Sequence, residues 1–185
     1  MNNNNFWELI NRSKEHGEEQ VEWLTNELVK QKTEEIFNFE IEFKNKMDQS
    51  YTPSLWGAAF VIMGGCSDDG FDYFRGWLIS RGEELFDMAL KNPEYLAEYL
   101  TEDNLHKDVF APQLEEILSV ASDAYTYQKT SEYDYDDEIN SEFLDELEAR
   151  GYKFEPIEIE FDWEEEALEE RYPLLWERFG ENPLT

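Results

Sequence analysis

Cysteine is nearly absent from this chain: Cys66 is the only one in 185 residues. No internal disulfide can form, and with only two histidines, His16 and His106, there is no ligand set of the zinc type. Positive charge is scarce as well, with 15 Lys and Arg against 45 Asp and Glu and a formal net charge of −30. A field of that sign repels phosphate backbones and anionic headgroups, so direct binding to nucleic acid or to a membrane surface is not expected unless a metal intervenes. Long apolar runs are missing too. None reaches the roughly 18 residues that suggest a membrane span, and Met1-Asn2-Asn3-Asn4-Asn5 leads into Phe6-Trp7-Glu8 without the basic stretch and apolar core of a signal peptide. A soluble, cytoplasmic protein in a reducing compartment is the expectation.

What the chain does have is aromatic side chains. Thirteen Phe, ten Tyr and six Trp, within 41% hydrophobic residues, are ample material for a core. A chain of this length forms one domain that buries roughly 70% of its unfolded surface. The expected organisation is a single helical domain over 1–185, with a core over about 5–128, an acidic loop over 129–140, and a C-terminal arm and helix over 141–180. The charge is uneven. Residues 1–92 hold 17 acidic and 9 basic side chains, and residues 93–185 hold 28 and 6, so the second half carries −22 of the −30. Such a surface either keeps the protein in solution or attracts a basic protein partner.

Periodicity predicts an all-α fold, an irregular orthogonal array of helices with an extended acidic C-terminal arm. Asn5 with Glu8 reads as a capping box for a helix that ends at Gly17, and Val21, Leu24 and Leu28 form the stripe of a helix over about 18–31. Residues 33–51 fit two patterns. Phe37, Phe39, Ile41 and Phe43 alternate as a strand would, whereas Ile36, Phe39, Phe43 and Met47 form a helical stripe, and with no hairpin partner nearby the helix is preferred. Pro53 suits the first turn of the uncharged helix 54–63. Further helices are expected over 83–90, over about 95–100, from Pro112 through Tyr125, over 142–150, and from an Asp162–Glu165 capping box to Gly180, bent at Pro173. Residues 154–161 alternate apolar and acidic side chains, but Pro156 and the lack of a partner strand point to an extended arm.

The most distinctive stretch is Gly64-Gly65-Cys66-Ser67-Asp68-Asp69-Gly70, a turn between two apolar helices. Together with Trp56-Gly57-Ala58-Ala59 before it, and Phe71, Phe74-Arg75 and Trp77-Leu78-Ile79-Ser80-Arg81-Gly82 after it, it resembles the bacterial family known as domain of unknown function 4240, over about residues 5–100. The resemblance implies a mainly helical, cytoplasmic bacterial domain. It brings no activity, so it assigns no catalytic residue.

Two readings of the turn stand side by side. In one, the glycines end a helix in left-handed geometry, Ser67 or Asp68 caps the next helix, and Asp72 pairs with Arg75. In the other, Asp68, Asp69 and Asp72 gather oxygen ligands for a magnesium or calcium ion, or the turn is a ligand or enzyme site in which Cys66, Ser67 and Arg75 take part, assisted by Tyr73. A thiolate at Cys66 is disfavoured by the adjacent carboxylates. The second candidate surface is the acidic loop, where Glu132, Asp134, Tyr135, Asp136 and Asp137 offer charge and an aromatic ring to a basic protein. Its spacing departs from a calcium loop, because Ile139 stands where the sharp turn needs glycine. The functional expectation is an acidic, non-catalytic protein-binding domain, in its most concrete form an inhibitor or immunity protein for a basic partner. The alternative is an enzyme or a divalent-cation or ligand-binding domain at the turn.

Overall fold

The computed structural model describes residues 1–107 and 112–184, without the side chains of Asp103, His106 and Lys107. The helices are α1 (Asn3–Ser13), α2 (Gln20–Val29), α3 (Thr33–Ser50), α4 (Pro53–Met63), α5 (Asp68–Ser80), α6 (Glu83–Lys91), α7 (Tyr95–Tyr99), α8 (Glu102–Lys107), α9 (Val120–Thr130), α10 (Asp137–Ala149), α11 (Leu168–Arg171) and α12 (Pro173–Phe179). Short 3-10 turns fill Lys14–Glu19, Glu116–Ser119 and Glu165–Ala167. Among the described residues there is no strand, and the fold is all-α. No described helix is long and apolar enough to cross a membrane. The chain divides into two compact units: Met1–Lys46 with Glu116–Pro156, and Met47–Glu115 with Ile157–Thr185.

In the first unit α1 buries Phe6, Trp7, Leu9 and Ile10. Its cap is Asn2, whose side chain accepts from the Asn5 backbone N–H at 3.0 Å, rather than the expected Asn5. The helix therefore begins three residues early. It ends at Ser13, short of the expected Gly17, and the 3-10 turn that follows is broken at Gly17, with φ 55° and ψ −122°, a conformation that glycine tolerates. In α3 the helical stripe prevails over the strand pattern. Ile36, Phe39, Phe43 and Met47 are all buried, while Ile41, which a strand would bury beside Phe39 and Phe43, is partly exposed. Phe39 meets Phe6 at 5.1 Å, and Phe37 meets Tyr125 and Phe143 at 5.2 Å each.

Helix α9 packs along α2, and the Gln128 side chain closes the end of α2. Its amide donates to the carbonyls of Val29 (2.9 Å) and Gln31 (2.8 Å), and its oxygen accepts from the Thr33 hydroxyl at 2.8 Å. These bonds satisfy acceptors that a helix C-terminus leaves open. Helix α10 starts at Asp137, five residues before the expected 142, because Asp136 caps it by accepting from the backbone N–H groups of Glu138 (2.9 Å) and Ile139 (3.0 Å). The expected loop over 129–140 is accordingly shorter.

In the second unit α4 is buried at Leu55, Trp56, Ala58, Ala59, Val61, Ile62 and Met63. Thr52 caps it and Pro53 opens its first turn. The helices α11 and α12 lie against it: the Tyr172 hydroxyl donates to the Ser54 carbonyl at 2.7 Å, and a Cβ placed on Gly57 would lie 2.8 Å from that hydroxyl. Glycine is required there because the aromatic ring occupies the space. The Glu94 carboxylate accepts from the backbone N–H groups of Leu174 and Leu175 at the start of α12, and the Arg178 guanidinium donates to the carbonyls of Ala97 and Leu100 at the end of α7.

Two expected elements differ. The helix expected from Pro112 begins only as a 3-10 turn at Glu116, since Leu114 is drawn out of it by donating its N–H to the Tyr73 carbonyl at 3.0 Å. The Asp162–Glu165 capping box does not form. Asp162 pairs with Arg171 at 3.0 Å instead, and Tyr172, with φ −127° and ψ 62°, separates α11 from α12 because the residue before a proline is held out of helical geometry.

Candidate functional site

The turn after α4 is built by local backbone chemistry. Gly64 adopts φ 66°, ψ 27° and Gly65 φ 137°, and the Gly65 N–H bonds to the Phe60 carbonyl at 2.9 Å. Ser67, not Asp68, caps α5: its hydroxyl accepts from the Gly70 N–H at 3.2 Å. Asp68 and Asp69 then occupy the exposed first turn, where they complement the positive end of the helix dipole.

Asp72 is ion-paired with Arg75. Arg75 is buried, 5% exposed, and its guanidinium stacks on Tyr51 at 4.7 Å and Phe71 at 4.9 Å and donates to the Met47 carbonyl at 2.6 Å. Its Nε and the indole nitrogen of Trp77 are buried without a hydrogen-bond partner among the described residues. Burial lowers the Arg75 pKa and the Asp72 carboxylate opposes that effect. The Cys66 thiol is half-buried and its pKa is pushed up to about 12, chiefly by burial, with Asp68 and Asp72 adding to the rise against the pull of Arg75. It is a neutral thiol at physiological pH.

Sequence reasoning anticipated the glycines, the Ser67 cap and the Asp72–Arg75 pair. It missed the surroundings: Tyr51, the Met47 carbonyl, and Trp56, whose indole N–H donates to the Cys66 carbonyl at 3.0 Å. The Tyr73 hydroxyl bonds to Glu115 at 3.0 Å, a bond that raises its pKa. Among the described residues no group of three or more His, Cys, Asp or Glu is placed to hold a metal ion. His16 stacks on Trp23 at 4.5 Å, and the His106 side chain lies outside the described residues.

The acidic segment is different in kind. Residues 131–138 are all exposed. Tyr133 is tethered, stacking on Tyr127 at 4.5 Å and donating its hydroxyl to Asn26 at 2.9 Å. Tyr135 is 74% exposed. Asp136 is engaged as the cap of α10, whereas Glu132, Asp134, Asp137 and Glu138 have no cation among the described ion pairs. No Lys or Arg occurs anywhere between residues 130 and 149. The nearest cation in sequence, Lys129, is taken by Glu142 at 2.8 Å. The first unit also has an open cavity of about 440 Å³, lined by Asn5, Glu8, Leu9, Arg12, Lys32 and Glu35 among others, which no sequence pattern signalled.

Residues 1–127 match the profile of a family described as "Protein of unknown function (DUF4240)". No curated protein and no solved structure matches the chain.

Proposed function

Because the chain belongs to the DUF4240 family of proteins of unknown function, which supplies no activity to inherit, we propose its role from its own surface: a non-catalytic cytoplasmic domain that binds a protein with a basic face, as an inhibitor or immunity protein does. One observation carries this reading. Four exposed carboxylates with no cation among the described ion pairs, Glu132, Asp134, Asp137 and Glu138, flank the exposed Tyr135 in sequence. Unpaired surface charge of one sign speeds encounter with a partner of the opposite sign and sets its orientation, and an exposed tyrosine supplies an apolar body with a polar tip for the contact itself.

The rival, a ligand, cation or enzyme site at residues 66–72, has less behind it. Its thiol stays protonated, and its best-placed carboxylate, Asp72, is neutralised by Arg75. The experiment is affinity capture from native lysate by the wild type and by a Glu132→Gln/Asp134→Asn/Asp137→Asn/Glu138→Gln variant, at low and high salt, with Asp136 left intact to preserve α10. Expected are partners with basic surfaces that dissociate as salt rises and that the variant fails to retain. Capture that is empty at low salt, or identical with the variant, refutes the reading.

A further inference from the structure

One stretch of this all-helical chain has the chemistry of a strand and no sheet to join. Residues 157–161, Ile157-Glu158-Ile159-Glu160-Phe161, run without helix, turn or bend, and none of their backbone N–H or C=O groups is hydrogen-bonded to a described residue. β-Branched and aromatic side chains are the ones that favour strands, and in an extended chain Ile157, Ile159 and Phe161 share one face while Glu158 and Glu160 share the other. The apolar face is only partly covered: Ile157 is 42% and Phe161 51% exposed, and Ile159 between them is half-buried.

The segment is nonetheless held at its C-terminal end. Phe161 meets Trp56 edge-on at 5.0 Å and Trp163 at 5.4 Å. Trp163 is fixed in turn by its indole N–H, which donates to the Pro53 carbonyl at 2.7 Å. An anchored backbone that neither turns nor bends, with open hydrogen-bonding groups, loses less freedom on pairing than a free tail would. The acidic face selects what can pair. Two copies of the segment side by side would bring carboxylates against carboxylates, which disfavours self-pairing, whereas a strand with alternating Lys or Arg would meet them favourably.

We infer that residues 157–161 are a docking strand. A basic strand of a protein partner adds to it through main-chain hydrogen bonds, its apolar side chains covering Ile157, Ile159 and Phe161 and its cations facing Glu158 and Glu160. The inference rests on the proposal of a basic protein partner and adds the conformation in which part of that partner binds. The family match ends at residue 127, so this strand belongs to the portion of the chain outside it.

The test uses the full chain and two short acetylated, amidated peptides of equal charge. One alternates Lys and Val, and in the other prolines replace the central valines, so that charge is kept and strand pairing is lost. Hydrogen–deuterium exchange is followed at the 157–161 amides, and affinity by calorimetry. The alternating peptide is expected to slow exchange there by about tenfold or more, a free-energy difference of about 1.4 kcal/mol, while the proline peptide leaves it unchanged. Ile159→Pro is expected to weaken binding of the alternating peptide by a similar factor with the helical circular dichroism intact. Equal effects of the two peptides, no protection at 157–161, or self-association through this segment at neutral pH overturns the inference. Running the acid-to-amide variant at 132–138 in parallel separates the two proposals. Protection at 157–161 that survives in that variant supports a site in its own right, and a failure confined to 157–161 leaves the salt-dependent capture by 132–138 standing.

Discussion

Replacing Gly57 by alanine tests how closely the C-terminal helices approach α4. In an isolated helix the change would stabilise, by about 1 kcal/mol on intrinsic propensity. Here the new Cβ would lie 2.8 Å from the Tyr172 hydroxyl oxygen, 2.9 Å from its ring and 3.1 Å from the Trp163 indole nitrogen, the first two closer than real Cβ contacts come. Neither ring is free to move aside. Tyr172 is buried and donates to the Ser54 carbonyl at 2.7 Å while accepting from Arg171 at 3.0 Å, and Trp163 donates to Pro53 at 2.7 Å. Overpacking costs about 1–3 kcal/mol, and weakening the Tyr172–Ser54 bond about another 1 kcal/mol. Set against the propensity gain, Gly57→Ala is expected to destabilise by about 1–3 kcal/mol. For a chain of this size that lowers Tm by about 2–4 °C per kcal/mol. Thermal unfolding followed by circular dichroism measures it. In a Tyr172→Leu background, where the ring is absent, the same substitution should become about neutral, a coupling of about 1–3 kcal/mol. A Gly57→Ala protein as stable as the wild type, or no difference between the two backgrounds, refutes the argument.

Glu40 is buried with Lys44 3.6 Å from its carboxylate, and burial raises its pKa. The folded chain therefore holds a proton that the unfolded chain has released, so this group's contribution to stability falls as pH rises from the ordinary carboxyl range through the raised value, and the full cost is present above it. Glu40→Gln should stabilise at neutral pH and flatten that slope. Denaturant titrations at several pH values measure it, and an unchanged slope would contradict the assignment. Cys66, with its pKa pushed from 9.0 up to about 12, should react with iodoacetamide at pH 8 about a thousandfold more slowly in the folded protein than in urea, since only the thiolate attacks. Comparable rates would show that the thiol is not held as the geometry implies. Asp136→Ala should cost about 0.5–2 kcal/mol and speed amide exchange at Glu138 and Ile139, whereas Asp136→Ser should retain most of the cap. Unchanged exchange in the alanine variant would remove Asp136 from that role.

The parts legible in the sequence are those governed by chemistry within a few residues. Gly64-Gly65 could be read as a helix stop because only glycine adopts φ of 66° and 137° in succession without strain, and Ser67 as a cap because its acceptor lies three residues from Gly70. The Asp72–Arg75 pair is likewise a neighbour relation along one helix face. Where local signals misled, a distant group had claimed the residue. Asp162 looked like a cap for 165 and went to Arg171. Pro112 looked like a helix start, but Leu114 bonded to Tyr73. Asn5 with Glu8 matched a capping box, yet Asn2 gained the cap by starting the helix earlier.

By itself, then, the order of residues determined the helical periods, the breaks at glycine and proline, and a surface dominated by carboxylates, because each depends on side-chain type and spacing along a few turns. The tertiary structure decided which of those carboxylates meet a cation among the described residues. It folded Arg75 onto Tyr51, Phe71 and the Met47 carbonyl, drew Asp72 to it, and left residues 132–138 exposed and 157–161 without helix, turn, bend or a ladder to any described residue. Burial and pairing depend on groups far apart in the chain, and burial is also what keeps the Cys66 thiol neutral. The turn at 64–70 thus joins two helices with Asp72 paired to Arg75, and the proposals for function rest on the acidic segment and on residues 157–161.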